Sequence, residues 1–382
     1  MMSTEFHRQE FSTFLSGLER RALASSISQR TFSAAMQGVQ PLPDVLAKQA
    51  GQAEFTLSLQ NYMSRVVPPA RIRNGRAALK RQRKLFLQLE AEFRVEAEVI
   101  AAIWGIETRY GKARGDFPVI AALTTLAWKG RRAGFFESEL IAALNIVQQQ
   151  QADPGQMRGS WAGAMGHGQF MPSSYLRFAV DFDGDGKADI WGKDPTDGLA
   201  SIANYLARHG WQRGAPWGCE VTLPKGFDFK HAGLEQTQSL EDWMAQGVAL
   251  VDGGSPAEYG DASLLLPHGA GCPAFLTFAN LQVLLRYNNA VPYALAVGVL
   301  ADQLAGGKAP VAPWPIETPL NNVAISEMQA SLSRAGFDAG KADGFMGPDT
   351  VRAIRGFQRA QGLAEDGHPD HTLLTELRAF RD

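Results

Sequence analysis

The run Val99-Ile100-Ala101-Ala102-Ile103-Trp104-Gly105-Ile106 is apolar on every side of a helix. A helix with no polar face has to be wrapped by other elements, because any exposed side leaves apolar surface in water. That demands a chain long enough to build a shell around it. With 382 residues, 45% hydrophobic and 20% charged, this chain has the length for two or three domains and an ordinary globular balance. Ala91 to Ile106 reads as one long segment that turns apolar towards its end. Other helical patterns run from Phe11 to about Leu304, separated by Gly and Pro. Leu199, Ile202, Ala203 and Leu206 repeat at the spacing of a helix face, and Gly210 follows where a C-terminal glycine is favoured. Phe278 to Leu304 forms another such pattern, interrupted near Asn288 to Pro292. Apart from Gly218 to Leu223 there are few strand signals, and no internal repeat is evident.

Glu107 directly follows the apolar run and precedes Thr108-Arg109-Tyr110-Gly111. A carboxylate at the edge of an apolar environment has its charged form disfavoured. A general acid that must be protonated near neutral pH needs that placement. A glutamate that merely ends a helix, exposed or paired with Arg109, is the alternative. A second segment bears on the choice: Gly159-Ser160-Trp161-Ala162-Gly163-Ala164-Met165-Gly166-His167-Gly168-Gln169-Phe170-Met171-Pro172. Its glycines allow positive φ and close backbone approach to a ligand. Ser160 and Gln169 can hydrogen-bond sugar hydroxyl or acetamido groups, while Phe170 and Met171 offer apolar surface to a pyranose face. A turn-rich loop without a ligand is the plainer reading.

These residues carry a family resemblance. Glu107-Thr108-Arg109-Tyr110-Gly111 and Gly163-Ala164-Met165-Gly166-x-Gly168-Gln169-Phe170-Met171-Pro172-Ser173 resemble the lytic murein transglycosylase B family. Arg131-Arg132, Ala203-Asn204-Tyr205 and Arg286-Tyr287-Asn288 extend the match over roughly residues 10 to 305. The resemblance implies a mainly α chain with a lysozyme-like catalytic core and an additional helical domain. It makes Glu107 the sole catalytic acid/base, with Ser160 and Gln169 beside it. Tyr62, Tyr205, Tyr287 and Asn288 match site positions, and Arg131 and Arg132 resemble residues on the peptide-bearing side of a cleft. His167 departs from the pattern, which has an aromatic such as Tyr there, and is read as a surface histidine. No second Asp or Glu lies in the segments that carry Glu107 and Ser160, whereas ordinary glycosidases use two carboxylates. The implied reaction is cleavage between N-acetylmuramic acid and N-acetylglucosamine without water, leaving a 1,6-anhydromuramyl end. No catalytic cofactor is implied. A hydrolytic muramidase and a non-catalytic peptidoglycan-binding protein are the alternatives.

Asp181-Phe182-Asp183-Gly184-Asp185-Gly186-Lys187 follows the start of an EF-hand calcium loop. Asp181, Asp183, Asp185 and the Lys187 carbonyl fit its ligand positions. Gly192 stands where a bidentate Glu would complete the loop, and the resemblance assigns the last carboxylate to Asp197. A structural Ca2+ is the expectation, and an Asp/Gly turn the alternative. Beyond Gly306-Gly307, the prolines 310, 313, 315 and 319 read as an extended linker. Ile325 to Ala335 and Asp349 to Gln361 then read as amphipathic helices. Ile325 to Phe380 resembles the small three-helix peptidoglycan-binding module, through Met328-Gln329, Asp343-Gly344-Phe345-Met346-Gly347-Pro348, Phe357-Gln358 and Asp366-Gly367. The second Asp-Gly departs from the pattern, being followed by His368-Pro369-Asp370-His371. The expected division is a transglycosylase region at 1–305, the linker at 306–321 and the module at 322–382.

A net charge of −2 gives no argument for a nucleic-acid partner. The basic stretch from Arg71 to Lys84 reads as the solvated face of a helix, with attraction to an anionic polymer as the alternative. Glycan strands and stem peptides of peptidoglycan are the expected partners of a monomer. No run of 18 apolar residues exists, so no membrane span is expected. The first residues lack the apolar core of a signal peptide. Peptidoglycan lies outside the cytoplasmic membrane, which points to the periplasm of a Gram-negative bacterium and a signal segment absent from this chain. That compartment would permit a bridge between Cys219 and Cys272, which sequence alone leaves open.

Overall fold

The computed structural model describes residues 2–51, 57–253 and 259–380. Its contacts divide the chain into two compact units. The described residues of 1–55 and 70–209 form the first, and those of 56–69 and 210–382 the second. Among the described residues no helix is long and apolar enough to cross a membrane.

The first unit opens with helices α1 (Met2–Ala24), α2 (Gln29–Met36) and α3 (Pro43–Gly51). After α4 (Leu59–Val66), which belongs to the second unit, it continues with α5 (Pro69–Arg81), α6 (Arg83–Phe93) and α7 (Ala97–Thr108). A short antiparallel ribbon, β1 (Phe117–Pro118) with β2 (Arg158–Gly159), sets Phe117 opposite Gly159. The rest is helical: α8 (Val119–Lys129), α9 (Ala133–Gln148), α10 (Pro172–Phe178) and α11 (Thr196–Arg208). The basic stretch falls on α5 and the start of α6, and its side chains from Arg73 onward are exposed.

Helix α7 is the wrapped helix that its composition requires. Ile100, Ala101, Ala102 and Ile103 are fully buried, and α6 and α11 pack against it. Each buried isoleucine contributes about 1.5–3 kcal/mol relative to exposure. The segment 91–106 is not one helix, however. Arg94 closes α6 in the left-handed region at φ 59°, and α7 starts afresh with the Glu90 carboxylate accepting from the Ala97 N–H at 3.0 Å. Gly210 follows α11 at φ 90°.

The second unit contains a sheet that the sequence pattern barely announces. Its strands are β3 (Gly218–Thr222), β4 (Ala249–Leu250), β5 (Ser263–Leu265) and β6 (Ala274–Thr277), in the antiparallel order β4-β3-β6-β5. Only β3 carries a readable signal. β5 and β6 are buried at every residue, so no alternation marks them, and short apolar runs look alike in strands and helices. Helix α12 (Leu240–Ala245) covers the sheet with Trp243, and α13 (Ala279–Tyr287) and α14 (Val291–Leu304) follow. Cys219 on β3 and Cys272 between β5 and β6 are both free thiols, so the two are not bridged.

The Pro-rich stretch is pinned rather than loose. Glu220 accepts from the N–H groups of Val311 and Ala312, each at 2.7 Å, and Trp314 stacks on Phe275. Three helices then enclose Met328, Leu332, Ile354, Phe357, Leu373 and Leu377: α15 (Asn322–Arg334), α16 (Pro348–Ala360) and α17 (His371–Ala379). One device recurs in this three-helix part, although no repeat is visible in the sequence. Buried Gln329 accepts from the Gly344 N–H, and Gln358 likewise accepts from the Gly367 N–H, both at 2.9 Å. The second Asp-Gly turn has an additional contact: Asp366 accepts from the Ala270 N–H at 2.6 Å, and His368 lies against His268 with ring centres 4.5 Å apart. The departure after Gly367 thus faces the β5–β6 connection.

Candidate active site

Glu107 is partly buried in the last turn of α7, and the chain reverses sharply just beyond that turn. Arg109, Tyr110 and Gly111 all have positive φ, at 52°, 60° and 82°. Two L-residues in succession in the left-handed region cost energy that surrounding contacts must offset. Those contacts are present. The Tyr110 ring lies edge-on to Trp104 and over Gly105, where a Cβ would come within 2.6 Å of it, and its hydroxyl donates to the Arg71 carbonyl at 2.9 Å. Burial pushes the Tyr110 hydroxyl well above the ordinary phenol range, so it stays a donor.

The glycine-rich segment folds back on itself beside this reversal. Met165 bridges Gly159 on one side and Phe170 on the other. A Cβ on Gly159 would strike the Ala164 carbonyl, and one on Gly115 would strike the Gly159 carbonyl, so glycine permits both close approaches. The Ser160 oxygen accepts from the N–H groups of Ala164 at 3.0 Å and Ala162 at 3.3 Å. With both lone pairs occupied, the hydroxyl is left to act as a donor. Gln169, at φ 51°, gives its amide N–H groups to the carbonyls of Gly166 at 2.9 Å and Arg114 at 3.1 Å. It is a clamp between the two segments, with only its oxygen to offer a ligand.

Phe170 does not present a sugar platform. It is 4% exposed and packs on Tyr205, which also stacks on His209. Met171 is partly buried at the start of α10. Arg131 and Arg132 are exposed in the α8–α9 turn, where Arg131 donates to the Gln49 carbonyl at 2.8 Å and Arg132 lies over Phe135. Glu107, Ser160, Gln169, Phe170, Met171, Arg131, Arg132 and Tyr205 thus all belong to the first unit. Tyr62, Tyr287 and Asn288 belong to the second, on α4 and at the end of α13, with Tyr287 stacked on Tyr293.

His167 is not a surface histidine; it is 1% exposed. The Trp104 indole N–H donates to Nδ1 at 3.0 Å, and Nε2 lies 3.0 Å from the Gly192 carbonyl. Burial pushes its pKa down to about 4, holding it neutral. The Thr108 hydroxyl, also fully buried, lies 3.1 Å from the carbonyls of both Trp104 and His167. Another group that the sequence motifs do not single out is Glu139. Buried in α9, it accepts from the Ser173 N–H at 2.9 Å and hydroxyl at 2.7 Å at the start of α10. No local signal separates it from Glu137, two residues earlier on the same helix, which pairs with Arg21 instead.

In the acidic loop, the carboxylates of Asp181, Asp183 and Asp185 have oxygens within 4.8 Å of one another, all exposed. Asp197 is buried behind them and accepts from the N–H groups of Phe182 at 2.8 Å and Asp189 at 2.9 Å. Burial raises its pKa.

Known proteins resemble this chain over most of its length. Residues 10–302 match the transglycosylase SLT domain, and residues 321–377 a putative peptidoglycan binding domain. The membrane-bound lytic murein transglycosylase B of Escherichia coli is 35% identical over 257 residues, which span 64% of this chain and 66% of that relative. SltB3 from Pseudomonas aeruginosa, solved in complex with NAG-anhNAM-pentapeptide, is 44% identical with a TM-score of 0.92, covering 96% of this chain and 99% of that one. The E. coli lytic transglycosylase Slt35, solved in complex with calcium, is 30% identical with a TM-score of 0.65, covering 78% of this chain and 92% of the other.

Proposed function

The chain belongs to the transglycosylase SLT family and is a peptidoglycan lytic transglycosylase, and on that premise we propose that Glu107 alone serves as its acid and then its base. The observation that supports this reading is a carboxylate in the last turn of a fully wrapped helix, beside a segment that turns the Ser160 hydroxyl into a donor. The protonated carboxyl of Glu107 gives its proton to the glycosidic oxygen as the bond from that oxygen to C1 of N-acetylmuramic acid breaks. The substrate's acetamido group supports the positive charge at C1. Ionised Glu107 then takes the proton of the muramic C6 hydroxyl as that oxygen bonds to C1. The internal hydroxyl outcompetes water because it is held beside its target. No water is consumed, and Glu107 ends as it began.

Ser160 donates to the substrate in this reading, Gln169 offers its amide oxygen, and Tyr62, Tyr205, Tyr287, Asn288, Arg131 and Arg132 contact glycan or stem peptide. Ca2+ is held by Asp181, Asp183, Asp185 and the Lys187 carbonyl. Three clustered carboxylates are a hard oxygen donor set of the kind calcium takes. Asp197 serves that loop as a brace, its oxygens occupied by backbone N–H groups. The enzyme works as a monomer in the periplasm, where its substrate lies.

Glu107→Gln lowers turnover at least about 100-fold while leaving binding to purified sacculi largely intact, because the amide can neither give nor take the proton. A variant that still cleaves removes Glu107 from this role. Mass spectrometry of the wild-type products shows anhydromuramyl ends; reducing ends, one water heavier, identify a hydrolytic muramidase instead.

A further inference from the structure

The family pattern has an aromatic residue where this chain has His167, and the imidazole places a hydrogen-bonding nitrogen on each of two ring edges, where a phenyl ring has none and a phenol has a single hydroxyl. It accepts from the Trp104 indole at Nδ1 and lies within hydrogen-bond reach of the Gly192 carbonyl at Nε2, both at 3.0 Å. An indole N–H only donates, so Nδ1 must be the acceptor and the single proton sits on Nε2. The slot is fitted to the ring. A Cβ on Gly111 would come 2.8 Å from its Cε1, and one on Gly198 would come 2.7 Å from its Cβ. The backbone of His167 is tied as well: its N–H donates to Ile190 at 3.0 Å, and its carbonyl lies 3.1 Å from the Thr108 hydroxyl.

Trp104 stands three residues before Glu107, nearly one helical turn, and Thr108 follows it directly, so α7 is tied to His167 on both sides of the carboxylate. We infer that His167 is a positioning residue for Glu107, joining the last turn of α7 to the segment 190–192 through a hydrogen bond on each edge of its ring. The inference rests on Glu107 being the acid/base, and its test separates the two claims.

Packing and hydrogen bonding rank substitutions at His167 in opposite orders. His167→Phe keeps a ring in the slot and loses both bonds. His167→Gln loses the ring but carries an acceptor and a donor on one amide. On a soluble N-acetylglucosamine–N-acetylmuramic acid oligomer, H167F loses about 10- to 100-fold in kcat with KM within about twofold of wild type, the scale expected for a misplaced catalytic group. H167Q recovers a large part of that loss. The indole proton of Trp104, followed by NMR, stays protected in H167Q and not in H167F. H167F turning over at the wild-type rate, or matching or exceeding H167Q, overturns the inference. So does failure of both variants to fold, which would make the imidazole a folding element only. If E107Q keeps its turnover, the acid/base reading falls by itself, and the indole proton still reports whether the link to α7 exists.

Discussion

The glycine-rich loop 159–171 and the acidic loop 181–189 lie on either side of α10, and they hold their shapes by different means. In the first, Gly163 and Gly166 have φ of 88° and 68° and also face close neighbours. A Cβ on Gly163 would come 2.5 Å from Leu123, and one on Gly166 would strike the Ile190 carbonyl. In the second, Gly184 and Gly186 have φ of 79° and 94° with nothing within 4 Å of where a Cβ would stand. The acidic loop closes on itself: Asp181 accepts from the N–H groups of Gly184 and Gly186, each at 2.8 Å, and Asp185 from that of Lys187 at 2.9 Å. One loop is shaped by steric contact with the protein around it, and the other by hydrogen bonds to carboxylates, its own and that of Asp197 on α11. A surface that must stay registered with Glu107 needs the first kind of support. A loop that takes up a cation can use the second, because it changes charge without disturbing the core.

The sharpest break in that comparison is Gly166→Ala. It adds left-handed strain to a steric clash, and together these cost about 2–5 kcal/mol, read as a lower midpoint in chemical denaturation. A loss below about 1 kcal/mol would mean that the loop yields to its neighbours after all.

An intermediate effect comes from pH. The folded pKa of His167 is about 4, against an ordinary 6.5 for the unfolded chain. Between those values the unfolded chain binds a proton that the folded one refuses, so the folded state loses stability as the pH falls from about 6.5 towards 4. The loss is on the order of 3 kcal/mol in total. It is absent from His167→Phe, and equal pH dependence in the two proteins would show that His167 titrates freely.

The smallest effect is Gly184→Ala. The substitution strains φ without a clash and costs about 1 kcal/mol. Calcium raises the melting temperature of this variant and of wild type alike, because it binds only the folded loop. It raises that of Gly166→Ala by the same amount, so the deficit of that variant against wild type persists. A larger rise in Gly166→Ala than in wild type would show that the two loops share one support.

Much of the fold and the site was legible in the residues. The apolar circumference of α7 required burial, and the carboxylate at its end stood out for that reason. Two helices of the three-helix part, α15 and α16, followed from periodicity, and the third only from the resemblance. The prolines marked an extended stretch but not that Glu220 and Phe275 pin it. Gln169 and Phe170 were expected to meet a sugar through donors and an apolar face, and the structure gives those groups other partners. Gln169 spends its donors on backbone carbonyls, and Phe170 supports Tyr205 from inside. The strands β5 and β6 stayed hidden because they are short and buried on both faces.

His167 marks the boundary between the two kinds of knowledge. Read locally, a histidine among four close glycines belongs to a turn at the surface. Its burial is set by Trp104, 63 residues before it, and by Gly192, 25 residues after it. The sequence by itself determined that α7 is enclosed, that Glu107 ends it and that glycines crowd the segment beside it, since periodicity and residue chemistry are local properties. The neutral state of His167, the donor role of the Ser160 hydroxyl and the brace formed by Asp197 were decided only by tertiary structure. For His167 and Asp197 the partners come from other elements of the chain, and for Ser160 they lie two and four residues on in a turn whose shape its close-packed surroundings fix, so no local pattern encodes any of them.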